Sequence, residues 1–389
     1  MLEFLLLLLP VAAATGWLAG RKGGIFGVTQ NTLTRPAPEY FHGLNYLLNE
    51  QPDKAIEVFI RMVEVDSETM ETHLALGNLF RQRGEVDRAI RIHQNLVSRP
   101  NLSAQLRGNS MLELARDYMA AGLFDRSESI FAELLSLDSH TSEACASLIV
   151  IYEREREWQK AIDTAKHLHN KTGEARNEVV AHYYCEIASD LLQEEQFAEA
   201  KAHLNNALTF DKHCARADIM HADIALQQKD FGQADGHFKR AYDKDDSLMP
   251  VIIVRWLSAV ERQSDNTRLR EFIAGIRKGD HDFEIVSAIA DMVERVDGKD
   301  AAEQMIKDEL VENPTLKGLH KWAEIELDKS KDSERDKIRV VVDMLGRVIE
   351  TKPSFTCNLC GFRGHEIHWQ CPGCKSWDTV KPLKSDDVV

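Results

Sequence analysis

Small residues recur along this chain at a spacing that suits paired helices. Ala55, Ala89, Ser127, Ala161, Ala200 and Ala234 follow one another at intervals of 34, 38, 34, 39 and 34 residues. Four residues after each stands Phe59, His93, Phe131, Ala165, Leu204 or Phe238, and three further on Met62, Leu96, Leu134, Leu168, Ala207 or Ala241. Positions 0, +4 and +7 share one face of an α-helix. Twelve residues ahead of each small residue lies Gly43, Gly77, Ala115, Ile149, Ala188 or Ala222, followed after three by Tyr46, Phe80, Tyr118, Tyr152, Leu191 or Ala225. These positions predict a second helix in every period, with turn residues such as Gly84 and Gly122 between the two. Small residues on both helices let them approach closely, and the aromatic fills the seam beside them. Each hairpin keeps an apolar flank that only the next hairpin can cover, so the hairpins must stack. Beyond Ala234 the pattern weakens but is expected to keep its register, because Ala302 lies twice 34 residues on, with Ala290 twelve before it and Pro314 twelve after. The array is therefore predicted over residues 36–350, with about six clear and two to three degenerate repeats.

A repeat of this length with these positions resembles the tetratricopeptide repeat. Leu76-Gly77-x2-Phe80 with Ala89, and Leu114-Ala115-x2-Tyr118 with Ser127, are its best copies, while the consensus tryptophan is absent. Such an array offers a long face to a partner segment. His73, His93, His182 and His221 read as helix-surface or seam residues rather than ligands.

Hydropathy changes character at the two ends. Phe4 to Gly20 is a 17-residue uncharged stretch, about 26 Å long as a helix and just sufficient for a thin bilayer. Arg21 and Lys22 follow it at once, which by the positive-inside rule puts the N-terminus outside and the rest in the cytoplasm. Residues 1–22 are expected to form a transmembrane anchor and 23–35 a linker. Cleavage at Ala12-Ala13-Ala14 would instead release a periplasmic scaffold, but the basic flank lies on the wrong side of the apolar run for a signal peptide. At the other end Cys357-x2-Cys360 and Cys371-x2-Cys374 are separated by ten residues. Each short turn aims two sulfurs at one ion, and four thiolates make a closed tetrahedral site without an open position for hydrolytic chemistry. Both iron and zinc accept that set. His365 and His368 lie between the pairs but are not expected to ligate. Phe362, Trp369 and Trp377 are expected to supply the mini-core of the segment 351–389, and its short link to the array suggests that it docks on the last repeats.

Composition adds exclusions. Of seven cysteines, Cys145, Cys185 and Cys214 stand singly in helical patterns, which reads as one metal site plus three buried thiols in a reducing compartment. A net charge of −15 argues against nucleic-acid binding. Walker A, G-x-S-x-G, H-E-x-x-H and dinucleotide signatures are missing, so a non-enzymatic role is expected.

Cys-x2-Cys-Gly-Phe followed by Cys-Pro-x-Cys resembles a rubredoxin-type or zinc-ribbon knuckle. Together these features predict an all-α tetratricopeptide-repeat superhelix with an N-terminal transmembrane helix and a small C-terminal metal knuckle. That order of parts, with Gly84-Glu-Val-Asp-Arg-Ala-Ile-Arg-Ile-His-Gln94 and Arg116-Asp-Tyr-Met-Ala-Ala-Gly122, resembles the lipopolysaccharide assembly protein B family over essentially the whole chain. The resemblance implies iron in the knuckle. It also implies a bacterial inner-membrane location with a cytoplasmic body, and an adaptor role for the membrane protease FtsH in degrading the deacetylase LpxC, alongside other lipopolysaccharide assembly proteins. An iron tetrathiolate that passes electrons is the competing expectation.

Overall fold

The computed structural model describes residues 38–49, 51–65, 70–100, 102–263, 266–277 and 283–383. The expected anchor at 1–22 and linker at 23–35 lie outside them. Among the described residues no helix is long and apolar enough to cross a membrane.

Two compact units divide at His140. The first holds three helical hairpins: α1 (Pro38–Leu48) with α2 (Pro52–Val65), α3 (Met70–Gln82) with α4 (Val86–Val97), and α5 (Ala104–Ala120) with α6 (Phe124–Ser136). The second begins with α7 (Thr141–Glu155) and α8 (Trp158–Thr172), α9 (Asn177–Gln193) and α10 (Phe197–Phe210), and α11 (Ala215–Gln227) and α12 (Phe231–Lys244). After a 3-10 turn at Asp246–Leu248 it continues with α13 (Met249–Gln263), α14 (Asn266–Arg277), α15 (Phe283–Asp297), α16 (Lys299–Glu312), α17 (Leu316–Lys329) and α18 (Asp332–Glu350). A three-stranded antiparallel ribbon closes this unit, with β1 (Phe355–Cys357) between β2 (Arg363–Gly364) and β3 (Val380–Pro382).

The hairpin seams follow the sequence pattern. Ala55, Ala89, Ala161, Ala200, Ala234 and Ser127 are all sealed from solvent. Close approach explains the two glycines on the opposing helices. A Cβ on Gly43 would lie 2.6 Å from the Phe59 ring, and one on Gly77 would lie 2.3 Å from His93 Nε2. His93 is a seam residue, and its Nδ1 meets Asp117 Oδ2 at 2.5 Å while Arg81 holds Oδ1 at 2.7 Å. A buried charge thus gains the partners it requires. In the degenerate region Ala290 and Ala302 are buried as expected. Between them and Ala234 the register slips. In α14 the buried positions are Leu269 and Ile273, one residue later than a strict period of 34 requires. Large side chains, including Trp256 and Leu257 of α13, occupy that seam in place of a small pair.

The turns inside the six hairpins from α1 to α12 share one device. The carbonyls of Tyr46, Phe80, Tyr118, Tyr152, Leu191 and Ala225 each accept a hydrogen bond from the backbone N–H five residues on, at 2.8–2.9 Å. Such a helix ending requires a left-handed residue just before the donor. Gly84 and Gly122 supply it at φ 79° and 74°, but Arg156, Glu195 and Lys229 occupy the same position at φ 59–60°. A side chain in that conformation costs on the order of 1 kcal/mol relative to glycine. Glu195→Gly and Lys229→Gly are each expected to raise stability by about 0.5–1 kcal/mol and so to raise the thermal midpoint of the second unit. A lowered midpoint in both would contradict the assignment of strain to these turns.

Candidate metal centre

The ribbon brings the four predicted ligands together. Sγ atoms of Cys357, Cys360, Cys371 and Cys374 all lie within 4.8 Å of one another. Cys357 and Cys374 are 3.8 Å apart, and Cys360 and Cys371 are 3.6 Å apart. A tetrahedron with metal–sulfur bonds of about 2.3 Å has edges of about 3.8 Å, and these two sulfur pairs match that spacing. His365 and His368 are outside this cluster among the described residues.

Both cysteine turns are built alike. Gly361 N–H donates to the Cys357 carbonyl, and Lys375 N–H to the Cys371 carbonyl, each at 2.9 Å. The residue after each second cysteine is left-handed, Gly361 at φ 75° and Lys375 at φ 62°. Two of the four sulfurs, those of Cys357 and Cys374, are set up to carry negative charge. At Cys360 the Phe362 N–H is outweighed by desolvation and the neighbouring sulfurs, which raise that thiol to about 11. Thr379 Oγ1, 3.3 Å from Cys357 Sγ, together with the backbone N–H groups of Cys360 and Leu359, brings that thiol down to about 6. Ser376 lowers Cys374 through its hydroxyl and its N–H. Deprotonated sulfur is what a soft cation binds. Cys357 and Cys371 are buried, whereas Cys360 and Leu359 form an exposed edge.

The ribbon's packing departs from expectation in two respects. Its own core consists of Cys357, Cys371 and Val380 with Phe355 and Phe362. Trp369 and Trp377 face the helices instead. The dock is also not on the last repeats, because the ribbon returns across α7, α8, α9 and α11 at the start of the second unit. Trp377 stacks on His182 at 5.3 Å and meets Tyr183 and Trp158 edge-on at 5.7 and 6.1 Å. Its indole Nε1–H donates to Glu153 Oε1 at 2.8 Å, and the Tyr183 hydroxyl donates to the same oxygen at 2.7 Å. The Arg216 guanidinium covers the Trp369 ring at 5.4 Å, a contact of cation–π type. Lys381 Nζ pairs with Asp245 at 2.7 Å and with Asp378 at 2.7 Å. Burial, and then the positive charges of Arg216 and Lys381, hold His182 down to about 3, so it stacks as a neutral ring. Burial alone would raise Asp245, but the hydrogen bonds from Lys381 and Ser247 outweigh it and leave the carboxyl below its ordinary value.

Between ribbon and helices a cavity of about 750 Å³ is lined by residues including Glu153, Arg176, His182, Cys214, Lys244 and Trp377. Beside it, Asp218 is fully enclosed by His237, Arg240 and Lys244. Those hydrogen bonds overcome burial and bring it to about 2.

None of the docking residues formed a motif. Their one signal was the aromatic excess on both sides: Trp369 and Trp377 in a ribbon too small to enclose them, and Trp158 and Tyr183 on repeat helices.

Stacked helical hairpins with small-residue seams and a docked tetrathiolate ribbon define a tetratricopeptide-repeat scaffold carrying a metal-binding head. The chain is 36% identical to lipopolysaccharide assembly protein B of Escherichia coli (strain K12), over 100% of both chains. It is 32% identical to the Haemophilus influenzae protein of that name, again over 100% of both. It belongs to the lipopolysaccharide assembly protein B family. Residues 355–382 match the rubredoxin metal binding domain, and residues 72–104 and 185–248 match the tetratricopeptide repeat. The solved structure of YrrB, a tetratricopeptide-repeat protein, aligns at 14% identity and a TM-score of 0.32, over 50% of this chain and 95% of that one, too low an overlap to carry an argument.

Proposed function

We propose that this chain is a non-enzymatic adaptor, tethered to the bacterial inner membrane with its body in the cytoplasm. It restrains lipopolysaccharide synthesis by promoting FtsH-dependent degradation of the lipid A deacetylase LpxC. The observation that carries the reading is its end-to-end correspondence with relatives named for lipopolysaccharide assembly. The docked ribbon supports it, since a metal-stapled head held across three hairpins presents a composite surface to a protein partner. Phe4–Gly20 and the basic pair after it support the tether.

The test is the lifetime of LpxC in cells that rely on this chain. Deleting residues 1–22 is expected to leave the described fold intact by circular dichroism while LpxC persists. The anchor acts through concentration near membrane partners, where co-localisation is worth about 10²–10⁴-fold in effective affinity. Full activity of the truncated chain at native abundance would sink the tethering.

The exposed edge at Leu359 and Cys360 favours a second reading, electron transfer through an iron tetrathiolate. Full restraint of LpxC by a zinc-loaded protein would exclude it, because zinc has no redox chemistry.

A further inference from the structure

Two thiols outside the knuckle meet within the array. Cys185 on α9 and Cys214, the residue capping the N-terminus of α11, are 29 positions apart in sequence, yet their sulfurs lie 3.9 Å apart. Cys185 is fully enclosed, while Cys214, 4% exposed, lines the cavity beneath the ribbon. A small oxidant entering that cavity reaches Cys214 first, and Cys185 stands directly behind it.

We propose that Cys185 and Cys214 form a reversible disulfide when a hydroperoxide enters this cavity. The Cys214 thiolate attacks the terminal peroxide oxygen, the O–O bond breaks, and the remaining fragment leaves as an alcohol or water after taking a proton. Cys214 is then a sulfenic acid. The Cys185 sulfur attacks it, the S–O bond breaks, and hydroxide leaves as water with the Cys185 proton. Two thiols lose two electrons to one hydroperoxide, and the products are the disulfide, one alcohol or water, and one further water.

The division of labour follows from position. Free N–H groups in the first turn of a helix favour a negative sulfur at its cap. The contact with Cys185 and the Ala217 N–H bring Cys214 below the ordinary thiol value, whereas burial pushes Cys185 well above it. Cys214 is therefore the attacking thiolate and Cys185 the resolving thiol. A disulfide bond of about 2.05 Å requires the sulfurs to close by about 1.9 Å. That movement falls beside the dock. Glu186, next to Cys185, pairs at 2.8 Å with Arg216, the residue that covers Trp369.

The test uses the full-length, zinc-loaded chain exposed to hydrogen peroxide, alkylated in denaturant and mapped by mass spectrometry without reduction. A peptide linking Cys185 to Cys214 is expected to accumulate and to disappear with dithiothreitol. Cys185→Ser and Cys214→Ser, checked for helix content by circular dichroism, should lack it. The wild-type map decides the matter even if a variant misfolds. Oxidation confined to the knuckle cysteines, with Cys185 and Cys214 fully alkylated, would overturn the proposal. So would a Cys214 sulfinic acid in the wild type without a cross-link.

Discussion

Replacing any one of Cys357, Cys360, Cys371 or Cys374 with Ser is expected to strip the metal from the purified chain or weaken its binding by orders of magnitude. The four sulfurs form a closed set with two edges of 3.6 and 3.8 Å, and among the described residues no further His, Cys, Asp or Glu joins the cluster to replace a lost one. Three short strands and a core of a few side chains cannot hold 28 residues by burial alone. Tetrathiolate binding supplies roughly 10 kcal/mol or more in comparable zinc peptides, and most of it is folding energy. Limited proteolysis should then cut within residues 351–383, while the far-ultraviolet signal of the helices persists. Metal analysis is the direct check. Wild-type content in all four variants would show that these cysteines are not the ligands.

Trp377→Ala should separate the metal from the dock. The indole lies against His182, Tyr183 and Trp158 and donates to Glu153, while the ribbon's own core lies elsewhere. Truncating an aromatic with such contacts costs about 3 kcal/mol. The expected product keeps its metal but releases the ribbon from α7, α8, α9 and α11, which is seen as cleavage after Glu350 in a chain of full metal content. If the head presents a partner only when docked, the proposed restraint of LpxC should be lost in this variant although its metal remains. Retention of both protease protection and metal would place the holding energy in the Arg216–Trp369 and Lys381–Asp245 contacts instead.

The two predictions draw on different parts of what could be read beforehand. The four-cysteine cluster was legible because two C-x2-C turns are local chemistry: a few residues of backbone aim each pair of sulfurs. The seams were legible for a related reason. In a repeat array each hairpin contacts only its neighbours, so the rule that a small residue faces a small residue is written once per period. Ala89, Ala161 and Ala234 are buried where that rule puts them. Even local rules have exceptions set by context. Arg156, Glu195 and Lys229 hold a left-handed turn that composition would assign to glycine, because the helices on either side impose it.

Sequence by itself thus determined the repeat type, the helical hairpins and which four cysteines meet in the ribbon. Tertiary structure alone decided where the ribbon rests and which single cysteines become neighbours. Trp377 and Glu153 are 224 residues apart, and Cys185 and Cys214 come from different hairpins. No periodicity links such positions. Docking depends on the summed fit of aromatic faces, one shared carboxylate and a few charges, and those meet only after the stack has set the spacing between its helices.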